Sequence, residues 1–188
     1  MTVGEVAVAS VPQLIADVAA ARGRVLAAVA GLTADQEAFH PAPGEWSVPQ
    51  VVEHLVLAEQ AGIQRIWQAA EGIRRGRPVW TGEPVHRGLP IEEVIARTWR
   101  TKEQAPLNAT PQTDGPLAYW AACLETCQPV LERLGAALDG LDLAEVIFPH
   151  FLSGPLDARQ RLEFLRWHLD HHRRQIEEIK AAQGVPAQ

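Results

Sequence analysis

Two histidines four residues apart lie within the apolar stripe of a segment whose pattern is typical of a helix. They are His168 and His172, and because each helical residue advances by about 100°, both side chains project from one face. Leucines and isoleucines share that face, whereas charged residues occupy the opposite one. Imidazoles that point into a core must be hydrogen-bonded, bound to a metal ion or destabilising. The pair is therefore a candidate set of metal ligands.

A third histidine, His54, lies in another helical segment and also projects from an apolar face. That face carries small residues that leave space beside the imidazole: Val51, Leu55, Ala58, Ala61 and Ala69. Three neutral imidazoles from two facing helices suit a divalent transition metal such as Zn²⁺, Ni²⁺ or Fe²⁺, with at least one position open to water. We therefore predict a metal site at His54, His168 and His172. Core histidines without a metal are the alternative.

Polar residues near these faces have two interpretations each. Arg65 and Arg161 project within about 20° of the histidine faces, where an ordinary salt bridge is favoured over the steering of an anionic substrate or thiol. Gln175 could orient an imidazole, or form a plain hydrogen bond between helices. His171 lies at the edge of the stripe and is interpreted as a hydrogen-bonding residue at a helix interface rather than as a ligand.

A general base is missing from this constellation. Glu53 points about 100° away from the histidine that follows it, and Asp170 lies on the polar face of the last helix. The pattern therefore differs from His-Glu-x-x-His, in which a carboxylate serves the metal-bound water. The remaining histidines, His40, His86 and His150, fall in predicted loops and are interpreted as solvated or capping residues.

Four long helices are predicted to position the three histidines. They span residues 12–30, 46–75, 116–138 and 157–182. Capping-box pairs mark two of the starts, with Ser47 and Gln50 opening the second helix and Gln160 in the first turn of the fourth. Pro129 lies inside the third helix, where it predicts a kink or a break.

The connection between the second and third helices is unusually long. It comprises roughly forty residues rich in Pro, Gly and Thr, with a shorter helix predicted at 91–103. Such a length suits a crossover that leaves the second and third helices parallel, because antiparallel neighbours need only short turns. The segment 145–156 is predicted to be irregular and to cover one end of the bundle.

Length and composition predict one globular domain over residues 1–188. The net charge of −6 argues against a nucleic-acid surface, which needs clustered Lys and Arg. No apolar run approaches the ~18 residues of a membrane span, and the start lacks a secretory pattern. Cys123 and Cys127 lie four apart in a predicted helix, where a disulfide between them is geometrically poor, so we expect buried thiols in a cytoplasmic protein.

Three motifs follow one another along nearly the whole chain. The first is Trp46-Ser47 followed by Glu53-His54-Leu55, and the last is His168-x-x-His171-His172-x-x-Gln175-Ile176. Between them stands Phe148-Pro149-His150-Phe151 with Gly154-Pro155-Leu156. In this order the motifs resemble the DinB-like superfamily, whereas residues 76–115 match it only as a variable crossover.

The resemblance implies an all-α fold, a four-helix bundle in up-down-down-up order that is often a homodimer. It also implies a divalent metal on three histidines, which correspond to His54, His168 and His172. Relatives include metal-dependent hydrolase-like proteins and transferases or isomerases that use a low-molecular-weight thiol. We therefore expect a metal-dependent enzyme that acts on a small molecule, without nucleic-acid or membrane partners. The alternative is a non-catalytic helical bundle that serves as a binding or stress-associated module.

Overall fold

Four long helices make up most of the protein in the computed structural model, which describes residues 9–100, 105–113 and 115–184. They are α1 (Val11–Val29), α3 (Val48–Arg74), α5 (Leu117–Ala137) and α6 (Ala158–Ala182). Each begins and ends within two residues of its predicted bounds. The predicted all-α four-helix bundle is confirmed.

Shorter elements connect the long helices. They are α2 (Ala34–Glu37), α4 (Ile91–Thr98), a 3₁₀ turn (Leu107–Ala109), β1 (Ile147–His150) and β2 (Gly154–Asp157). The sequence did not predict α2. The helix expected at 91–103 ends at Thr98, and its predicted last residue lies outside the described residues. α5 continues through Pro129, so the predicted break is absent.

Contacts between helices establish their directions. Arg24 of α1 forms an ion pair with Asp170 at 2.9 Å, and Lys180, further along α6, donates to the Ala28 carbonyl at 2.8 Å. Later residues of α1 thus meet later residues of α6, so these two helices are parallel.

The two middle helices run the other way. His54, near the start of α3, meets His172 in the second half of α6, which makes α3 antiparallel to α6. At the opposite end of α3, Arg74 donates to the carbonyl of Ala137, the last residue of α5, so α3 and α5 end together. The order is therefore up-down-down-up, as predicted, with α4 and the 3₁₀ turn inside the crossover between α3 and α5.

Both predicted capping boxes are present at the helices that carry the histidines. The Gln50 side chain accepts from the Ser47 amide at 3.0 Å at the start of α3. At the start of α6, Asp157 accepts from the Gln160 amide at 2.8 Å, and Gln160 accepts in return at 3.2 Å. Because these pairs satisfy backbone groups that a helix end leaves free, they fix where each histidine-bearing helix begins.

A β-hairpin replaces the irregular segment that the sequence predicted before the last helix. β1 and β2 pair antiparallel, with Pro149 opposite Pro155. Proline has no amide hydrogen, so this pair donates no ladder hydrogen bond, and two prolines within eight residues argue against strands in a sequence. The prediction of irregular structure was wrong for this reason. The hairpin ends at Asp157, which caps α6 and thereby connects the hairpin directly to the histidines.

The core lies between the four long helices. Its largest fully buried apolar side chains include Leu55, Leu124, Leu131, Leu162 and Ile176. Burial of each such side chain stabilises the fold by about 1.5–3 kcal/mol. Within the part of the chain that the structure describes, no helix combines the length and apolar character needed to cross a lipid bilayer.

Candidate metal centre

The three predicted ligands meet at one point inside the bundle. The Nε2 atom of His168 lies 3.2 Å from Nε2 of His54 and 3.1 Å from Nε2 of His172. All three candidate ligand atoms lie within 4.8 Å of one another. The rings are buried, with 4–9% of their surface exposed, and are inclined to one another by 58–80°. The convergence that the sequence predicted is therefore present.

Outward hydrogen bonds orient two of the imidazoles. His54 Nδ1 lies 2.7 Å from the Ala109 carbonyl, and His172 Nδ1 lies 2.7 Å from Oε1 of Gln175. Because both oxygens only accept, each Nδ1 carries the proton and each Nε2 presents a lone pair to the centre. Hydrogen bonds of this kind fix the tautomer and ring orientation of metal-ligating histidines. Of the two roles left open for Gln175, the structure shows the orienting one.

The inward nitrogens cannot satisfy one another. Nε2 of His168 lies between two lone-pair nitrogens and has at most one hydrogen to donate, so at least one lone pair at the centre stays unpaired. A divalent cation would satisfy all three nitrogens at once. Burial is the main cause that lowers the pKa of each of the three imidazoles, so they are neutral near pH 7, as metal ligands must be. The donor set therefore fits a transition metal.

Glu53 holds the crossover against the centre. Its buried carboxylate accepts hydrogen bonds from the amides of Gln112 at 2.9 Å and Thr113 at 3.1 Å. The next residue, His54, donates to Ala109 in the same stretch, so neighbouring residues of α3 bind both ends of one crossover segment. The sequence placed Glu53 away from the histidines, which is confirmed, but it missed this positioning role. No carboxylate joins the three-histidine group among the described residues.

Comparison with known proteins agrees with the fold. The sequence model of the DinB superfamily matches residues 17–176, which include all three histidines. The chain belongs to the DinB superfamily. This match covers most of the chain and confirms the resemblance predicted from the motifs.

A solved structure gives a second comparison for this DinB-superfamily chain. It is YfiT from Bacillus subtilis, described as a probable metal-dependent hydrolase with an unusual four-helix bundle topology. The two chains are 18% identical, with a TM-score of 0.61 over 99% of this chain and 94% of YfiT. At this identity the comparison shows a shared fold. No curated protein sequence matches the chain.

Aromatic rings surround the centre of this DinB-superfamily protein. The Trp46 ring lies 5.1 Å from that of His54, and Phe164 stacks on His168 at 5.3 Å. Trp167, one residue before His168, stacks on His171 at 4.9 Å. Both tryptophan rings therefore pack against imidazoles, Trp46 against His54 and Trp167 against His171.

The sequence interpretation of His150 was wrong about its solvation and its place in a loop, although the residue does cap a turn. It was expected to be a solvated or capping loop residue, but it lies in β1 with 9% of its surface exposed. Its Nδ1 accepts from the amides of Leu152 at 3.3 Å and Ser153 at 3.2 Å, and so it caps the hairpin turn. Burial, with a smaller contribution from nearby arginines, lowers its pKa to about 3. The missed hairpin explains the error, because burial could not be inferred without it.

The other histidines lie outside the three-histidine group. His171 is exposed and stacks on Trp167 of the same helix, and among the described residues it does not form the hydrogen bond at a helix interface that the sequence predicted. In the loops, His40 contacts the carbonyl of Glu45 at 2.8 Å, and His86 contacts the carbonyl of Ser153 at 2.9 Å. These contacts organise loops, which agrees with the sequence interpretation of both residues.

The two cysteines are free thiols on α5. Cys127 is buried and Cys123 is half-buried. Burial raises the pKa of Cys127 to about 12, so this thiol stays protonated and inert. Neither sulfur belongs to the three-histidine group.

Proposed function

We propose that this protein is a divalent-metal-dependent enzyme that acts on a small molecule at His54, His168 and His172. One observation carries the proposal: three buried Nε2 atoms converge within 4.8 Å, and outward hydrogen bonds turn the lone pairs of two of them inward. A neutral three-nitrogen set suits zinc, nickel or iron, and three protein ligands leave a coordination position open for a substrate.

The chemistry follows from that open position. When bound, a divalent metal ion at three imidazoles would lower the pKa of a coordinated water or thiol toward neutrality. The protein contributes buried ligands whose rings pack against two aromatic side chains, His54 against Trp46 and His168 against Phe164. Hydrolysis and transfer of a low-molecular-weight thiol are both compatible with this arrangement. The described residues place no carboxylate in the group to act as a base, which favours thiol transfer.

A paired activity screen tests the proposal. Metal-free protein would be loaded separately with Zn²⁺, Ni²⁺ or Fe²⁺, and each form assayed with a panel of esters and amides. The same forms would be assayed for transfer of glutathione, cysteine or coenzyme A to an electrophilic chromogen. We expect metal-dependent turnover in the thiol panel that is lost on chelation and restored by metal. His171→Ala is the control and should retain activity, because this residue lies outside the group.

Two outcomes would change the conclusion. Turnover confined to the ester or amide panel would assign hydrolysis instead of thiol transfer. Protein that holds one equivalent of metal but turns over neither panel would favour the alternative, a non-catalytic bundle stabilised by metal. A homodimer, a cytoplasmic location and the absence of nucleic-acid and membrane partners stay predictions from the sequence.

A further inference from the structure

Two arginines flank one aromatic ring, that of Phe148. The guanidinium carbon of Arg65, on α3, lies 5.0 Å from the centroid of Phe148 in β1, and that of Arg161, on α6, lies 5.9 Å from it. Among the described residues, neither arginine forms the salt bridge that the sequence favoured. Within 9–100, 105–113 and 115–184, neither guanidinium has a hydrogen bond or an acidic partner, and the buried Nε of Arg161 has no acceptor.

An unpaired arginine of this kind lowers the stability of the fold, and two other buried cations of the protein do have partners. Arg161 is only 5% exposed, and an unpaired charge in such a place destabilises a fold. By contrast, buried Arg22 pairs with Glu59, and buried Lys180 donates to a backbone carbonyl. Burial, assisted by the charge of Arg65, lowers the pKa of Arg161 to about 10, so Arg161 remains charged at neutral pH.

The pair lies along the same interior face as the histidines. Arg161 precedes His168 by seven residues, which is two helical turns or about 10 Å along α6. Aromatic rings follow this face: Phe164 stacks on His168, and the ring centroid of His150 lies 4.7 Å from that of Phe164. Arg65 is only partly buried, so an anion can reach the two guanidinium groups from its side.

We infer that Arg65 and Arg161 form an anion-binding subsite for the carboxylate or phosphate group of the small molecule whose reactive end lies at the three histidines. The link to the histidines rests on the proposed function, whereas the anion site itself does not. A guanidinium group matches the planar oxygens of these anions with two parallel hydrogen bonds. The bound anion would satisfy Arg161 and neutralise two adjacent positive charges.

Binding of inorganic phosphate and of succinate tests the subsite. Each would be titrated by calorimetry at constant ionic strength into wild-type protein, Arg161→Met, Arg65→Gln and the control Arg166→Gln. Arg166 is on the same helix but pairs with Glu92 near the surface. We expect affinity to fall about tenfold or more in each subsite variant, as loss of a charged hydrogen bond implies, and to be unchanged in the control. Preference between phosphate and succinate identifies the class of anion.

Thermal unfolding provides an independent readout. Because Arg161→Met removes an unpaired buried charge while keeping an apolar stem beside Phe148, its Tm without anion should equal or exceed that of wild type. A large fall in Tm would show that Arg161 has a structural role and would count against the subsite. In that case the phosphate affinity of Arg65→Gln decides whether the subsite exists, because residue 65 is only half-buried and its substitution should not disturb the fold.

The two proposals fail in distinguishable ways. Wild-type protein that binds neither anion, or subsite variants that bind both as wild type does, would overturn the subsite whatever the metal content. If the protein binds the anions but takes up no metal, the subsite proposal stands and the proposed metal-dependent enzyme is ruled out. Metal content measured on the same preparations separates these cases.

Discussion

His168→Ala should weaken binding of a divalent transition metal by about 100-fold or more and abolish metal-dependent turnover. His168 contributes the central nitrogen, 3.2 Å from Nε2 of His54 and 3.1 Å from Nε2 of His172. Loss of a hydrogen-bond partner behind a metal ligand already costs about 10–100-fold in affinity, and loss of the ligand itself should cost at least as much. Competition with a chromogenic zinc chelator would measure the affinity.

Two further variants make this result specific. His171→Ala removes a neighbouring exposed imidazole on the same helix and should leave the affinity unchanged. Gln175→Ala removes the acceptor at 2.7 Å from His172 Nδ1 and should weaken binding about tenfold. An affinity that is unchanged in His168→Ala, or that falls equally in His171→Ala, would contradict the assigned ligands.

Metal-free protein should lose stability steeply as the pH falls below 6.5. Burial lowers the pKa of His54, His150, His168 and His172 from the ordinary value of 6.5, in His150 to about 3. Below pH 6.5 the unfolded chain therefore binds protons that the folded chain excludes. The stability is fully present above pH 6.5 and is lost as the pH falls toward the folded-state pKa values. Each histidine costs at most about 1.4 kcal/mol per pH unit, so the four together cost at most about 5.5 kcal/mol per unit.

Urea unfolding of chelator-treated protein at pH 7.5, 6.5 and 5.5 would measure this slope. His150→Leu removes one buried histidine without touching the three-histidine group, so the slope should fall but not vanish. Burial raises the pKa of Glu59, which acts in the opposite sense at more acidic pH. A free energy of unfolding that stays constant between pH 7.5 and 5.5 would contradict the burial of neutral histidines.

The parts of the fold that sequence reasoning predicted are those with local signals. Apolar periodicity placed the long helices, and the capping pairs at Ser47 and Asp157 fixed two of their starts. The same periodicity predicted that His54, His168 and His172 project inward, because a histidine within an apolar stripe has no other direction available on a helix.

The parts that sequence reasoning missed depend on contacts between distant segments. The partner of His54 is the backbone carbonyl of Ala109, which any residue type could supply. Burial of His150 follows from a hairpin that two prolines concealed. The lack of a partner for Arg161 could not be inferred either, because a buried arginine usually forms a salt bridge. Only the three-dimensional structure shows that this salt bridge is absent among the described residues.

The metal content of the purified protein tests the central claim most directly. Inductively coupled plasma mass spectrometry would be applied to untagged protein that has never contacted a nickel column, with His168→Ala purified in parallel. The convergent Nε2 atoms predict about one equivalent of a single transition metal in the wild type and a large loss in the variant. Less than about a tenth of an equivalent in the wild type, even after incubation with zinc, nickel or iron, would contradict the account.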